Sequence, residues 1–121
     1  NNVGAAGSTG RGEANLYNLC SFLIVEEMRR GAHPKDAGME ALRRIRANTV
    51  ERRLLTSGGK PNFGINFYVI NAKGQHAGVS MYAEEVYSGE TYKSQYAICT
   101  EQGPQTLPAE PLLNERLVVN A

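Results

Sequence analysis

Apolar side chains recur at two different periods along this chain, and the change of period divides it. Leu16, Leu19, Cys20, Leu23, Ile24 and Met28 follow one another at three- and four-residue steps, the spacing that lines one buried face of a helix. Arg29 and Arg30 fall in the last turn of that helix, where they complement its dipole, and Gly31 is placed to end it in a left-handed conformation. A second helix is predicted from Pro34, a residue suited to the first helical position, with Asp36 in the first turn. Met39, Leu42 and Ile45 face inward, and the helix ends near Asn48 or Thr49. So short a connection makes the two helices roughly antiparallel.

After the loop Thr56-Ser57-Gly58-Gly59-Lys60-Pro61-Asn62 the period becomes two. Ile65, Phe67 and Val69 alternate with Asn66, Tyr68 and Ile70, and Asn71-Ala72-Lys73-Gly74 reads as a hairpin turn with glycine where a positive φ is least costly. Ala77, Val79 and Met81 form the return strand. A third strand is expected over Gln95–Thr100, beyond a polar excursion through Ser88-Gly89-Glu90. Upstream of the first helix, Val3 to Ser8 are small and apolar, suited to the end of a buried strand. From Glu101 onward, Pro104, Pro108 and Pro111 predict an extended tail, 101–121, lying on a surface or on another chain.

This order (strand end, two helices, then strands) is an α+β arrangement in which two helices pack on an antiparallel sheet. It lacks the βαβ alternation of a doubly wound fold. Both faces of the strands carry apolar residues, Phe67 and Val69 on one and Tyr68 and Ile70 on the other. The chain is therefore expected to be incomplete as given, with its other layers supplied from elsewhere.

The 121 residues are 41% hydrophobic and carry a net charge of +1, which bounds the chain to at most one domain of ordinary composition. Phe22 to Val25 is the longest apolar stretch, too short to span a bilayer, so no membrane partner is expected. Cys20 and Cys99 lie in different elements without metal-ligand spacing and are read as two free, buried thiols; no metal and no cofactor are expected. Arg29, Arg30, Lys35, Arg43, Arg44, Arg46, Arg52 and Arg53 crowd one region. No aromatic residues interleave with them as a nucleic-acid platform requires, so they read as the solvated side of a helix pair. His33 reads as a helix cap before Pro34, and His76 as a sheet residue.

The candidate chemistry lies in Gly7-Ser8-Thr9-Gly10-Arg11-Gly12-Glu13. Glycines before a helix N-terminus expose backbone N–H groups at the positive end of the dipole, a place for a carboxylate, a phosphate or an oxyanion. Thr9 adds a hydroxyl, although threonine is also a frequent helix cap. Gly10 and Gly12 serve turn geometry in the plainer reading, Glu13 suits the first helical turn, and Arg11 faces solvent or a sugar. A phosphate site is disfavoured, because the turn lacks the lysine of a P-loop and the G-x-G-x-x-G spacing.

Asn2-Val3-Gly4-Ala5-Ala6-Gly7-Ser8-Thr9-Gly10-Arg11-Gly12-Glu13, followed by Val25-Glu26-Glu27-Met28-Arg29-Arg30-Gly31 and Pro34, resembles the C-terminal part of the β chain of glycosylasparaginase (aspartylglucosaminidase). That family belongs to the N-terminal nucleophile hydrolases and the wider type 2 asparaginases. The resemblance spans residues 2–100, firm at the turn, good in the first helix and loose in the strands.

It implies an αββα sandwich made from a self-cleaving precursor, with residues 1–100 as part of a β chain. The new N-terminal Thr of that chain is the nucleophile, and its own amino group the base. The substrate is an asparagine whose side-chain amide carries N-acetylglucosamine. By the same resemblance Thr9 and Gly10 are the oxyanion-hole groups, and Thr9, Gly10, Arg11 and Gly12 line the substrate pocket. The implied partners are the α chain and the rest of the β chain, in a homodimer of αβ units. The family setting is lysosomal, periplasmic or, for asparaginase-like members, bacterial cytoplasm. The nucleophile and the Arg and Asp that hold the substrate's α-carboxylate and α-amino groups are expected upstream, since none matches a position here and Asn1 carries no nucleophilic atom. Isoaspartyl peptidases and asparaginases share the turn. A non-catalytic structural or phosphate-binding module is the reading from another class.

Overall fold

The helical stripe that begins at Leu16 does not run through one helix. In the computed structural model, which describes residues 1–119, it is divided between α1 (Gly12–Asn18) and α2 (Cys20–Arg29). Leu19 between them holds a left-handed conformation, φ 48° and ψ 47°. The Asn15 side chain secures the break, donating to Ser8 Oγ (2.6 Å) and accepting from the Cys20 amide (3.1 Å) at the start of α2. The turn taken at Leu19 ends the periodicity, so Leu16 and Leu19, expected inside, are 72% and 66% exposed. Cys20, Ile24 and Met28 keep the buried positions. α3 (Pro34–Asn48) begins as expected: His33 is its cap, accepting from the Lys35 amide through Nδ1 at 3.1 Å.

The helices cover one face of a five-stranded sheet. β1 (Gly4–Gly10), β2 (Ile65–Asn71), β3 (His76–Tyr87) and β4 (Glu90–Lys93) succeed one another as antiparallel neighbours. Ile65, Phe67 and Val69 of β2 and Val79 and Met81 of β3 point into the helices, against Ile24, Ala41, Leu42 and Ile45. Each fully buried aliphatic side chain there contributes about 1.5–3 kcal/mol. The β2–β3 turn forms around Gly74 at φ 84°, with Asn71 Oδ1 accepting from the amides of Lys73 and Gln75.

Two departures from the expected antiparallel, two-helix arrangement follow from residues far along the chain. The strand Gln95–Thr100 (β5) does not join the main sheet; it pairs with β6 (Gly103–Pro108) as a separate hairpin. β7 (Glu110–Val119) then takes the other edge of β3 and runs parallel to it, which makes the sheet mixed. The segment expected as a surface tail is thus extended but integral, burying Leu113 and Leu117. Its prolines are tolerated because, among the described residues, β6 and β7 each have a strand on one side only.

The β5–β6 hairpin lies over the sheet face that the helices leave free. A Cβ on Gly78 would collide with the ring of Tyr96, so a glycine there lets β5 approach β3. His76 Nδ1 and Tyr96 Oη meet at 2.9 Å across the same contact. The hairpin covers β3 but leaves the outer face of β1 open: Ala5, Gly7 and Thr9 are exposed. Cys20 is buried and free, and burial pushes its thiol up to about 11. Cys99, expected buried, is exposed on β5.

Candidate functional site at the end of the edge strand

Thr9 and Gly10 are not in the helix-entry turn that the glycine pattern suggested. Both belong to β1, paired with Asn66 and Ile65 of β2. The cap of α1 is Arg11, with no side-chain capping bond, so Thr9 is not spent as a helix cap. Glu13, in the first turn of α1, complements the positive end of the helix dipole. Hydrogen bonds from Arg53 and then Arg11 hold the Glu13 carboxyl below its ordinary range.

The ladder settles where each group of β1 points. At its two ends, the Ala72 amide donates to the Val3 carbonyl (2.9 Å) and the Arg11 amide to the Gly64 carbonyl (3.1 Å). In an antiparallel pair such bonds fall on alternate residues, so the odd-numbered residues of β1 spend their backbone groups on β2. The trans peptide after Thr9 then directs the Gly10 N–H away from β2, to the unpaired edge of the sheet.

Side chains alternate in the same way. Ser8, whose hydroxyl meets Asn15, faces the helices, and Thr9 faces the opposite, open side. One residue step therefore presents a threonine hydroxyl on the free face and a backbone amide at the free edge.

Gly10 is confined to glycine twice over. Its φ is 118°, and a Cβ there would strike the Gly64 carbonyl and come within 2.8 Å of Ile65 Cα. Arg11 extends outward, its Nη1 3.2 Å from Glu13 Oε1 and its guanidinium 5.9 Å from the centre of the Phe63 ring. Gly12 opens α1, and open space surrounds the place of its missing side chain.

Three neighbours complete the site, and the sequence pattern marked none of them. Tyr68 Oη lies 2.8 Å from Thr9 Oγ1. Asn66, directly across from Thr9, has an Oδ1 shielded from solvent without a hydrogen-bond partner among the described residues. The Glu85 carboxylate rests against the Gly64 α-carbon and accepts from Tyr87 Oη at 3.0 Å. Burial is the main cause that raises the Tyr87 phenol above its ordinary range. The alternation of Asn66, Phe67 and Tyr68 told which face each occupies; the pairing of β2 with a strand 59 residues upstream, which puts Tyr68 on Thr9, left no local trace. Tyr68 also walls a groove of about 370 Å³ between Ala5–Gly7, His76 and the β5 residues Tyr96 to Ile98.

Among the described residues no cluster of metal-ligating side chains is found, and no helix is long and apolar enough to cross a membrane. The helix-borne arginines pair along their own surface, Arg29 with Glu26, Arg30 with Glu27, and Arg43 and Arg44 with Glu40.

The chain is similar to proteins of the glycosylasparaginase kind. It is 36% identical over 78 residues to the N(4)-(beta-N-acetylglucosaminyl)-L-asparaginase of Elizabethkingia miricola, a match covering 63% of this chain and 21% of the relative. It is 53% identical over 45 residues to a Drosophila yakuba protein named provisionally for the same activity, covering 37% of this chain and 11% of the relative. A Drosophila melanogaster counterpart is 51% identical over 45 residues. The chain spans about a fifth or less of the length of the curated relatives it matches. No protein-family model matches it.

Proposed function

We propose that this chain is the C-terminal part of the β chain of an N-terminal nucleophile hydrolase, and that Thr9 and Gly10 form the oxyanion hole of an amidase. The reaction is cleavage of the bond between N-acetylglucosamine and the side-chain amide of asparagine. The observation that carries this reading is the pairing of an exposed hydroxyl and an outward-facing amide at one residue step, on the open face and open edge of β1. The similarity to relatives named for that activity supports it.

In this mechanism the hydroxyl of an N-terminal Thr, outside these residues, attacks the amide carbonyl, and its own amino group takes the proton. The carbonyl oxygen becomes an oxyanion that accepts from Thr9 Oγ1 and the Gly10 N–H. Collapse expels the glycosylamine, which takes up the proton, and leaves an aspartyl ester on the nucleophile. Water then hydrolyses the ester and releases aspartate. Arg11 and Gly12 lie beside this position and line the substrate pocket in the same reading. The α chain and the remainder of the β chain supply the nucleophile and the groups that hold the substrate's α-carboxylate and α-amino ends, in a homodimer of αβ units.

Thr9→Ala in the complete enzyme tests it. Removing a donor aimed at charge that develops in the transition state lowers kcat about a hundred- to thousandfold with little change in KM. Thr9→Ser keeps the hydroxyl and much of the activity. Unchanged kcat in Thr9→Ala removes Thr9 from the reaction. Turnover of plain asparagine or β-aspartyl peptides in preference to the glycosylated amide would shift the substrate to that of the isoaspartyl peptidases.

A further inference from the structure

Tyr68 and Thr9 stand apart from the other tyrosine contacts of this chain because both lie on the face left open beside the hairpin. The 2.8 Å contact joins two hydroxyls, either of which can donate. Resting on the oxyanion reading above, we infer that Tyr68 is a positioning residue: its phenol donates to Thr9 Oγ1 and leaves the threonine proton free for the substrate.

Hydrogen-bond capacity decides the direction of this contact. A threonine hydroxyl has one proton and two lone pairs. If Thr9 donated to Tyr68, that proton would be occupied before substrate arrived, and the site would have to break a bond to stabilise the oxyanion. With Tyr68 as donor, one lone pair is satisfied, the rotor is held, and the proton points elsewhere. A chain of two hydroxyls also polarises along its length, so the Thr9 proton becomes a better donor as negative charge develops.

The sheet makes room for this arrangement. Tyr68 pairs with Gly7 on one side and Gly78 on the other. Neither neighbour has a side chain to stand beside the ring, so the phenol can lean along the sheet to Thr9, two register pairs away on the same face. Tyr96 fills the space above Gly78 and closes the far side of the groove that Tyr68 walls. Thr9 itself is exposed, and Tyr68 is its hydrogen-bond partner within the chain.

The test is a double-mutant cycle in the complete enzyme, with N4-(β-N-acetylglucosaminyl)-L-asparagine as substrate and aspartate release as readout. Tyr68→Phe keeps the ring and removes the donor; kcat is expected to fall about three- to tenfold, the worth of one hydrogen bond, with KM and melting temperature nearly unchanged. In the Thr9→Ala background the same substitution is expected to cost nothing further, because its only route of action is gone. Equal losses in both backgrounds, a change confined to KM, or an unaffected kcat in Tyr68→Phe alone would overturn the assignment while the oxyanion role of Thr9 stands. A Thr9→Ala enzyme with full kcat would overturn both.

Discussion

Gly10 ties the backbone of β1 to the chemistry proposed for it. Its positive φ and the contact with the Gly64 carbonyl leave no space for a side chain. Its N–H is available only because the preceding carbonyl is spent on β2. Gly10→Ala must therefore displace β1 from the start of β2 or take on a strained backbone, a cost of about 1–3 kcal/mol or more. The expected outcome is a lowered melting temperature together with lost turnover in the complete enzyme, unlike Thr9→Ala, which loses turnover alone. An unchanged melting temperature in Gly10→Ala would show that the close approach to Gly64 is not a constraint. Gly12 is the contrast: with open space around it, Gly12→Ala should leave stability near that of the parent.

Among the elements, β1 and the broken helix make the sharpest claims. The ladder parity predicts that amide exchange alternates along β1, with Ala5, Gly7 and Thr9 protected and Ala6, Ser8 and Gly10 fast, when residues 1–121 are studied alone. Uniform protection or a reversed pattern would refute the register. The helix break gives a second comparison. Ile24, fully buried, should cost about 2–5 kcal/mol when cut to Ala. Leu19→Gly should leave the melting temperature unchanged or raise it, because Leu19 is 66% exposed and sits where glycine is favoured. A large loss from Leu19→Gly would mean that its side chain is held by something in solution.

Over the whole molecule, one side of the sheet is finished and the other is not. The helix side encloses a continuous core, while among the described residues the opposite side is covered only where the β5–β6 hairpin lies. Leu16, Tyr17, Leu19 and Phe22 add exposed apolar surface along α1 and α2, each at least 64% exposed. Residues 1–121 expressed alone should therefore bind a hydrophobic dye, and assembly with the remainder of the enzyme should abolish the dye signal. A monomer that binds no dye would show that these surfaces need no cover. The sequence by itself determined the elements with local causes: the face of α2 around Ile24, the His33–Pro34 entry to α3 and the hairpin around Gly74. Each depends on side-chain period, on a cap or on a positive φ, properties that neighbours in the chain settle among themselves. Only the tertiary structure decided the rest. It broke the first helix at Leu19, which exposed Leu16 despite its period. It sent β5 over the sheet rather than into it, and laid β7 parallel to β3. It also brought Tyr68 to Thr9. The strand arrangements and the meeting of Tyr68 with Thr9 depend on pairing between segments distant in sequence, where the outcome is set by which strand edges and faces remain to be satisfied rather than by any residue's own preference.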